Sequence, residues 1–102
     1  MRWLNSCKFD KLHPAMVLAL IRAEEIYVQQ GSEMWITSVN DKLHVEKSKH
    51  YDGRAVDLRS HVLVNPDLVA MYIQNAVGPQ FTVLFEDKNT PNAHIHVQFN
   101  GD

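Results

Sequence analysis

The sequence predicts a single α+β domain, built from a small, mainly antiparallel sheet and two helices. Two segments carry apolar residues at helical spacing, one from Pro14 to about Gln30 and one between Pro66 and Gly78. Four shorter segments are predicted to be strands, and the first of them, Trp35–Val39, is rich in β-branched and aromatic residues. The resulting order, αββαββ with short connections, is typical of an α+β domain.

The first helix has a signal at each end. Pro14 suits the first helical turn, where no amide hydrogen is needed, and Gly31 suits the left-handed position after the last turn. The pattern therefore predicts a surface helix that packs one face on a core. That face consists of Met16, Ala19, Leu20, Ala23, Ile26 and Tyr27.

The strands are predicted in two pairs. Trp35–Val39 and Ala55–Leu58 form the first pair, and a polar loop from Asn40 to Gly53 joins them. Phe81–Phe85 and His94–Phe99 form the second pair, joined by a turn-rich segment.

The second helix lies between the two pairs of strands. Asn65 is predicted to cap it, Pro66 to occupy its first position, and Gly78 with Pro79 to end it. The helical spacing predicts a buried stripe. Its members are Val69, Tyr72, Ile73 and Ala76.

Length and charge exclude several classes of protein. The chain has 102 residues, so we expect one domain over 1–102. We also expect a monomer. Ten Lys and Arg against twelve Asp and Glu give a net charge of −2, which offers no general attraction to nucleic acid or to an anionic membrane. The single cysteine, Cys7, cannot form an intramolecular disulfide. We find no signal peptide or membrane span and expect synthesis in the cytoplasm.

The number of histidines is unusually high, with six in the chain. In the last predicted strand, alternation places His94, His96 and Gln98 on one face and the apolar residues on the core face. Two imidazoles are thereby presented to one cleft. The alternative is an exposed polar face on which the histidines have no joint role. His13 and His61 are predicted to be surface residues.

A second group of polar residues precedes and enters the second strand. Gly53 permits a turn, so His50 at the loop end and Asp57 on the strand could converge. The alternative is a solvated histidine and an aspartate that caps a turn. A hydrolytic zinc site needs three protein ligands and an open position for water, and His50, Asp57 and His96 supply that set. A structural zinc would have a fourth ligand, and His94 could close such a site.

Glu86 is the candidate general base. It ends the third predicted strand on the face opposite the aromatic residues, so it can enter the same cleft. A metal hydrolase needs a group that takes the proton of the attacking water and passes it to the leaving amine. The adjacent Asp87 should point the other way. The alternative for Glu86 is a solvated hairpin residue.

These residues belong to two sequence motifs that occur together in the chain. The segment from Ser48 to Asp57 fits SxHxxGxAxD, and His94-Ile95-His96 fits a later HxH. The chain thereby resembles the D-Ala-D-Ala carboxypeptidase and L-Ala-D-Glu endopeptidase family of zinc peptidases, which cleaves bacterial cell-wall peptides. It is also similar to the hedgehog signalling domain, which shares that fold and zinc site. The matched region, 44–96, covers about half of the chain.

The resemblance implies roles for individual residues. Zinc would be bound by His50, Asp57 and His96, with His94 off the metal. His44 matches a further histidine of the hedgehog-like pattern, and Glu86 matches an acidic residue at the end of the preceding strand. His44 and His94 would polarise the scissile carbonyl or stabilise the oxyanion. Ser48 belongs to the first motif and is predicted to contact substrate.

The chain departs from the family pattern at two places. Bacterial members usually carry an arginine after the first strand that helps to hold a substrate carboxylate, whereas this loop reads Ser38-Val39-Asn40-Asp41-Lys42. Arg54 or Lys42 could replace it. Many members also have their catalytic acid three residues before the last histidine ligand, where this chain has Ala93. The base would then be Glu86 or His94.

The sequence therefore predicts a zinc metallopeptidase that hydrolyses an amide in a peptidoglycan stem peptide. The absent family arginine favours endopeptidase over carboxypeptidase activity, since a carboxypeptidase must recognise a terminal carboxylate. A phage lysis enzyme, or endolysin, acting on the cell wall or in the periplasm would suit the small size. The alternative is a hedgehog-like binding module with a structural or vestigial zinc site. A third hypothesis is a histidine-rich domain without metal.

Overall fold

The computed structural model describes residues 1–39 and 53–101. Within these residues the chain forms two helices and a five-stranded, mostly antiparallel sheet, which confirms the predicted α+β class. The elements are β1 (Arg2–Trp3), α1 (Pro14–Gln29), β2 (Trp35–Val39), β3 (Ala55–Arg59), α2 (Pro66–Val77), β4 (Phe81–Glu86) and β5 (His94–Phe99). No helix of this part of the chain is both long and apolar enough to cross a membrane.

The strands lie side by side in the order β1-β2-β3-β5-β4. β1 pairs with β2 in parallel, and the other three pairings are antiparallel. The sequence did not predict β1, because two residues are too few to show a period. β3 and β5, which carry the predicted metal ligands Asp57 and His96, are neighbours inside the sheet. Each is held on both sides by backbone hydrogen bonds.

Both helices pack on the same face of the sheet. The six predicted apolar residues of α1 are all buried, and they meet a layer from the strands that includes Val56, Leu58, Ile95 and Val97. Because side chains alternate along a strand, the residues between these point to the opposite face. The sheet thus has an apolar face under the helices and a polar face that carries the candidate site.

Helix α1 begins at the predicted proline, and its cap is a histidine. The Nδ1 atom of His13 accepts a hydrogen bond from the Ala15 amide at 3.0 Å, and its ring lies 4.7 Å from the ring of Phe99. His13 is therefore half-buried and caps the helix, which the surface assignment from the sequence did not anticipate. At the other end Gly31 has a φ of +75°, the left-handed conformation expected there.

Helix α2 has the predicted cap, since the Asn65 side chain accepts a hydrogen bond from the Leu68 amide at 3.2 Å. Its buried stripe differs from the prediction. Val69, Ala70 and Ile73 are buried, whereas Tyr72 is 40% exposed and Ala76 is exposed. The helix is turned toward the edge of β4, where the Gln74 amide donates to the Phe81 carbonyl at 2.9 Å and accepts from the Val83 amide at 3.0 Å.

Candidate metal centre

The register of three strands assembles the site on the polar face of the sheet. Asp57 of β3 lies opposite His96 of β5, and His94 lies between Arg59 of β3 and Glu86 of β4. The side chains of Asp57, His94 and His96 are 14–18% exposed, and that of Glu86 is 41% exposed. A largely buried group of one carboxylate and two imidazoles is therefore bordered by a second, more accessible carboxylate.

Asp57, His94 and His96 could hold a metal ion. Each offers one ligand atom, and these atoms all lie within 4.8 Å of one another. Asp57 Oδ1 is 2.8 Å from His96 Nδ1 and 3.6 Å from His94 Nε2. A tetrahedral ion with bonds of about 2.0–2.1 Å would hold its ligand atoms about 3.3 Å apart. The two distances from Asp57 lie on either side of that value, so the spacing of Asp57 from each histidine is close to that of a tetrahedral site.

A chain of hydrogen bonds holds His96 in place. Its Nε2 atom is 3.1 Å from Gln98 Oε1, the Gln98 amide donates to Asn100 Oδ1 at 2.9 Å, and the Asn100 amide donates to Thr82 Oγ1 at 2.7 Å. Because an amide oxygen only accepts, His96 Nε2 must carry a hydrogen. The other ring nitrogen, Nδ1, donates to Asp57 Oδ1 at 2.8 Å and would be the ligand atom once it loses that hydrogen. The sequence placed Gln98 on this face but did not predict its role.

His94 has partners on both ring nitrogens. Nδ1 is 2.7 Å from the Asn92 carbonyl oxygen, so Nδ1 carries a hydrogen and donates it. Nε2 is 3.0 Å from Glu86 Oε1 and faces Asp57 at the longer distance. The imidazole is thus held between a backbone carbonyl and two carboxylates. Glu86 is the nearer of these two carboxylates.

Both histidines bind protons more strongly than an ordinary histidine does. For His96 the hydrogen bond to Asp57 is the main cause, and it outweighs burial, so the pKa is raised. Burial is the largest single influence on the pKa of His94, and it lowers that pKa. The Asn92 carbonyl, Asp57 and Glu86 raise it, and their combined effect exceeds that of burial, so the pKa of His94 is raised as well. A metal ion would therefore compete with protons for these ligand atoms.

The other predicted site residues lie apart from this cluster or outside the described residues. His44, Ser48 and His50 belong to 40–52 and are outside them. The guanidinium of Arg54 donates to the Gly101 carbonyl at 2.6 Å and lies 5.6 Å from the centre of the Phe99 ring. Arg54 therefore contacts the end of β5 and the residues that follow it.

A cleft of about 410 Å³ opens beside the cluster. It shares Asp57 and His94 with the candidate metal centre and extends past β3 toward β2. The lining residues are Thr37, Asp57, Arg59, His61, Pro91, Asn92, Ala93 and His94. There is thus room for a small ligand next to the residues that could hold the metal.

Comparisons with protein-family models, with curated proteins and with solved structures found no match to this chain. Its function is therefore inferred from the geometry of this site and from the sequence motifs.

Proposed function

We propose that this chain is a zinc metallopeptidase that hydrolyses an amide bond in peptidoglycan stem peptides. The observation that carries the proposal is the cluster of Asp57, His94 and His96, with Glu86 hydrogen-bonded to His94 beside an open cleft. The resemblance of the two sequence motifs to cell-wall zinc peptidases supports the class of substrate.

The donor set suits zinc, which binds imidazole nitrogens and carboxylate oxygens. Asp57 and His96 belong both to the set predicted from the sequence and to the cluster, and His50 is the further ligand that the sequence predicts. His94 Nε2 lies closer to Glu86 than to Asp57, which favours a role for His94 off the metal. Zinc bound there would act as a Lewis acid, lowering the pKa of water and polarising the scissile carbonyl.

Glu86 would transfer a proton at the reacting amide, and His94 would stabilise the negative charge that develops there. The Glu86 carboxylate is partly exposed and lies 3.0 Å from His94, so it can accept a proton from the attacking water and pass it to the leaving amine. His94 is oriented by the Asn92 carbonyl, and although burial lowers its pKa, that carbonyl, Asp57 and Glu86 raise it on balance, which favours the protonated form. A protonated His94 would stabilise the negative charge that develops on the carbonyl oxygen. His44, predicted for the same task, lies outside the described residues.

The proposal is tested by digesting purified peptidoglycan with the zinc-loaded protein and identifying the released fragments by mass spectrometry. We expect defined stem-peptide fragments, with none in a chelated sample or from the Asp57→Ala variant. The fragments also identify the bond and distinguish an endopeptidase from a carboxypeptidase. A protein that binds one zinc tightly and releases nothing from several wall chemistries would favour the binding module instead.

The position of His94 is tested by metal analysis of two variants. We expect His50→Ala to lower zinc occupancy more than His94→Ala, because His94 is engaged with Glu86 and Asn92. Equal losses would make His94 a fourth ligand and close the coordination sphere. A closed site is typical of structural zinc, so that result would count against catalysis.

A further inference from the structure

One wall of the cleft carries an arginine that the sequence did not single out. Arg59 ends β3, two residues after Asp57 on the same face and directly opposite His94 in the register with β5. Residues paired across neighbouring strands have Cβ atoms about 4.5–5.5 Å apart. The Cβ atom of Arg59 is therefore next to the candidate metal centre, while its guanidinium lies over Trp35 of β2.

The contacts of Arg59 differ from those of a second arginine nearby. Its guanidinium lies 4.8 Å from the centre of the Trp35 ring and forms no ion pair or hydrogen bond within residues 1–39 and 53–101. Arg2 lies 5.8 Å from the same ring, but its Nε donates to Glu33 Oε2 at 3.0 Å. Trp35 thus contacts two cations, and only Arg2 is neutralised by a carboxylate of the described residues.

We propose that Arg59, stacked on Trp35, is the subsite that binds a carboxylate of the substrate. This proposal rests on the proposed function, since a stem peptide offers such groups. Contact with the indole ring restrains the plane of the guanidinium and leaves its edge able to donate two parallel hydrogen bonds to a carboxylate. Arg59 would supply, from β3, the contact for which the sequence offered Arg54 or Lys42.

The geometry of the guanidinium suits a carboxylate. The planar carboxylate matches the fork of the guanidinium and can accept two parallel hydrogen bonds from it. The subsite therefore selects a substrate with a carboxylate close to the bond that is cleaved.

The first test measures binding without turnover. The chain has two tryptophans, Trp3 and Trp35, so the indole NH region of a ¹⁵N-correlated spectrum has two signals, which Trp3→Phe assigns. N-acetyl-D-alanine is titrated into the zinc-loaded protein, with its amide as the comparison. We expect the carboxylate to shift the Trp35 signal and to bind roughly tenfold or more tightly than the amide. Equal binding of the amide, or binding of the carboxylate without a shift of the Trp35 signal, would overturn the proposal.

The matched variants are Arg59→Gln and Arg2→Gln, which remove the two arginines that contact Trp35. We expect Arg59→Gln to weaken N-acetyl-D-alanine roughly tenfold, Arg59→Lys to restore part of the affinity, and Arg2→Gln to behave as wild type. If circular dichroism shows that Arg59→Gln is unfolded, the affinity of Arg59→Lys for N-acetyl-D-alanine is compared with that of Arg2→Lys instead. Unchanged affinity in the folded Arg59 variant would overturn the subsite.

A second readout separates this subsite from the proposed reaction. With the stem peptide that the digestion identifies, Arg59→Gln should raise KM while zinc content stays unchanged. Binding of the carboxylate through Arg59 without any cleavage would leave the subsite standing and reject the peptidase. Cleavage with the same KM in Arg59→Gln would keep the peptidase and reject the subsite.

Discussion

Glu86 and Asp87 are adjacent carboxylates whose environments differ, which makes them a matched pair for testing proton transfer. Glu86 contacts His94, which lines the cleft, whereas Asp87 is exposed in the turn with a φ of 56°. We expect Glu86→Gln to retain zinc and to lower the rate of cleavage at least ~10²-fold, the usual loss for a general base. Asp87→Asn should keep both, since asparagine tolerates a left-handed conformation. Unchanged turnover in Glu86→Gln would remove Glu86 from the mechanism.

The raised pKa values of His94 and His96 predict how the metal-free protein responds to pH. Folding raises both pKa values above about 6.5, the ordinary value for histidine. Protonation of the two histidines then stabilises the folded state. The stabilisation is complete at pH values below the ordinary histidine pKa, and it is lost as the pH rises through the pKa values of the folded protein.

Urea unfolding of the chelated protein at a series of pH values checks this prediction. We expect the contribution of the two histidines to the free energy of unfolding to fall above about pH 6.5. His96→Gln should flatten that dependence, because it removes the imidazole that contacts Asp57. A variant with the same pH dependence as wild type would show that His96 makes no such contribution.

The start of β3 depends on Gly53. Its φ is +73°, and a Cβ atom there would lie 2.1 Å from the Lys11 carbonyl oxygen and 2.6 Å from Leu12 Cα, while its own carbonyl accepts from the His13 amide at 3.0 Å. Gly31 has a similar φ of +75° but open space around it. Any side chain at Gly53 would therefore push β3 away from the residues that precede α1.

We expect Gly53→Ala to destabilise the protein well beyond Gly31→Ala. The left-handed conformation alone costs about 1–2 kcal/mol for alanine at either position. The clash with backbone atoms adds to this cost only at Gly53. Urea unfolding of the two variants measures the difference, and equal losses of stability would show that the chain relaxes around the added methyl group.

The sequence predicted most elements because their signals are local. Prolines and glycines mark the ends of both helices, and alternation in β5 separates His94 and His96 from the core residues. The sequence did not predict which face of α2 is buried, because the contacts of Gln74 with the edge of β4 are set by tertiary packing. The sequence also did not predict the contact of Arg59 with Trp35. The register of β2 shifts between Ile36 and Ser38, as at a β-bulge, and this shift changes which side chains of β2 share a face.

At the scale of the whole molecule, the two faces of the sheet have separate tasks. The helices cover one face and supply the apolar core, while the other face carries Asp57, His94, His96 and Glu86. Val56 and Leu58, on either side of Asp57, are fully buried, and so are Ile95 and Val97 around His96. The core thereby fixes the backbone beneath the candidate ligands, so their spacing is set before a metal binds.

This arrangement predicts that zinc stabilises the whole domain. A ligand that binds only the folded state adds about 2.7 kcal/mol of stability at a free concentration 100 times its Kd. In a domain of this size that corresponds to a rise in Tm of about 10 °C or more. Thermal unfolding with zinc and with a chelator measures the shift.

The matched control for this shift is Asp57→Ala, which removes a carboxylate that contacts both histidines. We expect its Tm to be the same with zinc as with chelator, whereas Asp67→Ala, at an exposed position on α2, should keep the full shift. If Asp57→Ala is stabilised by zinc as much as wild type, the metal binds elsewhere on the chain. Because the ligand strands are also the central strands of the sheet, stabilisation at the site should raise the midpoint of a single cooperative transition.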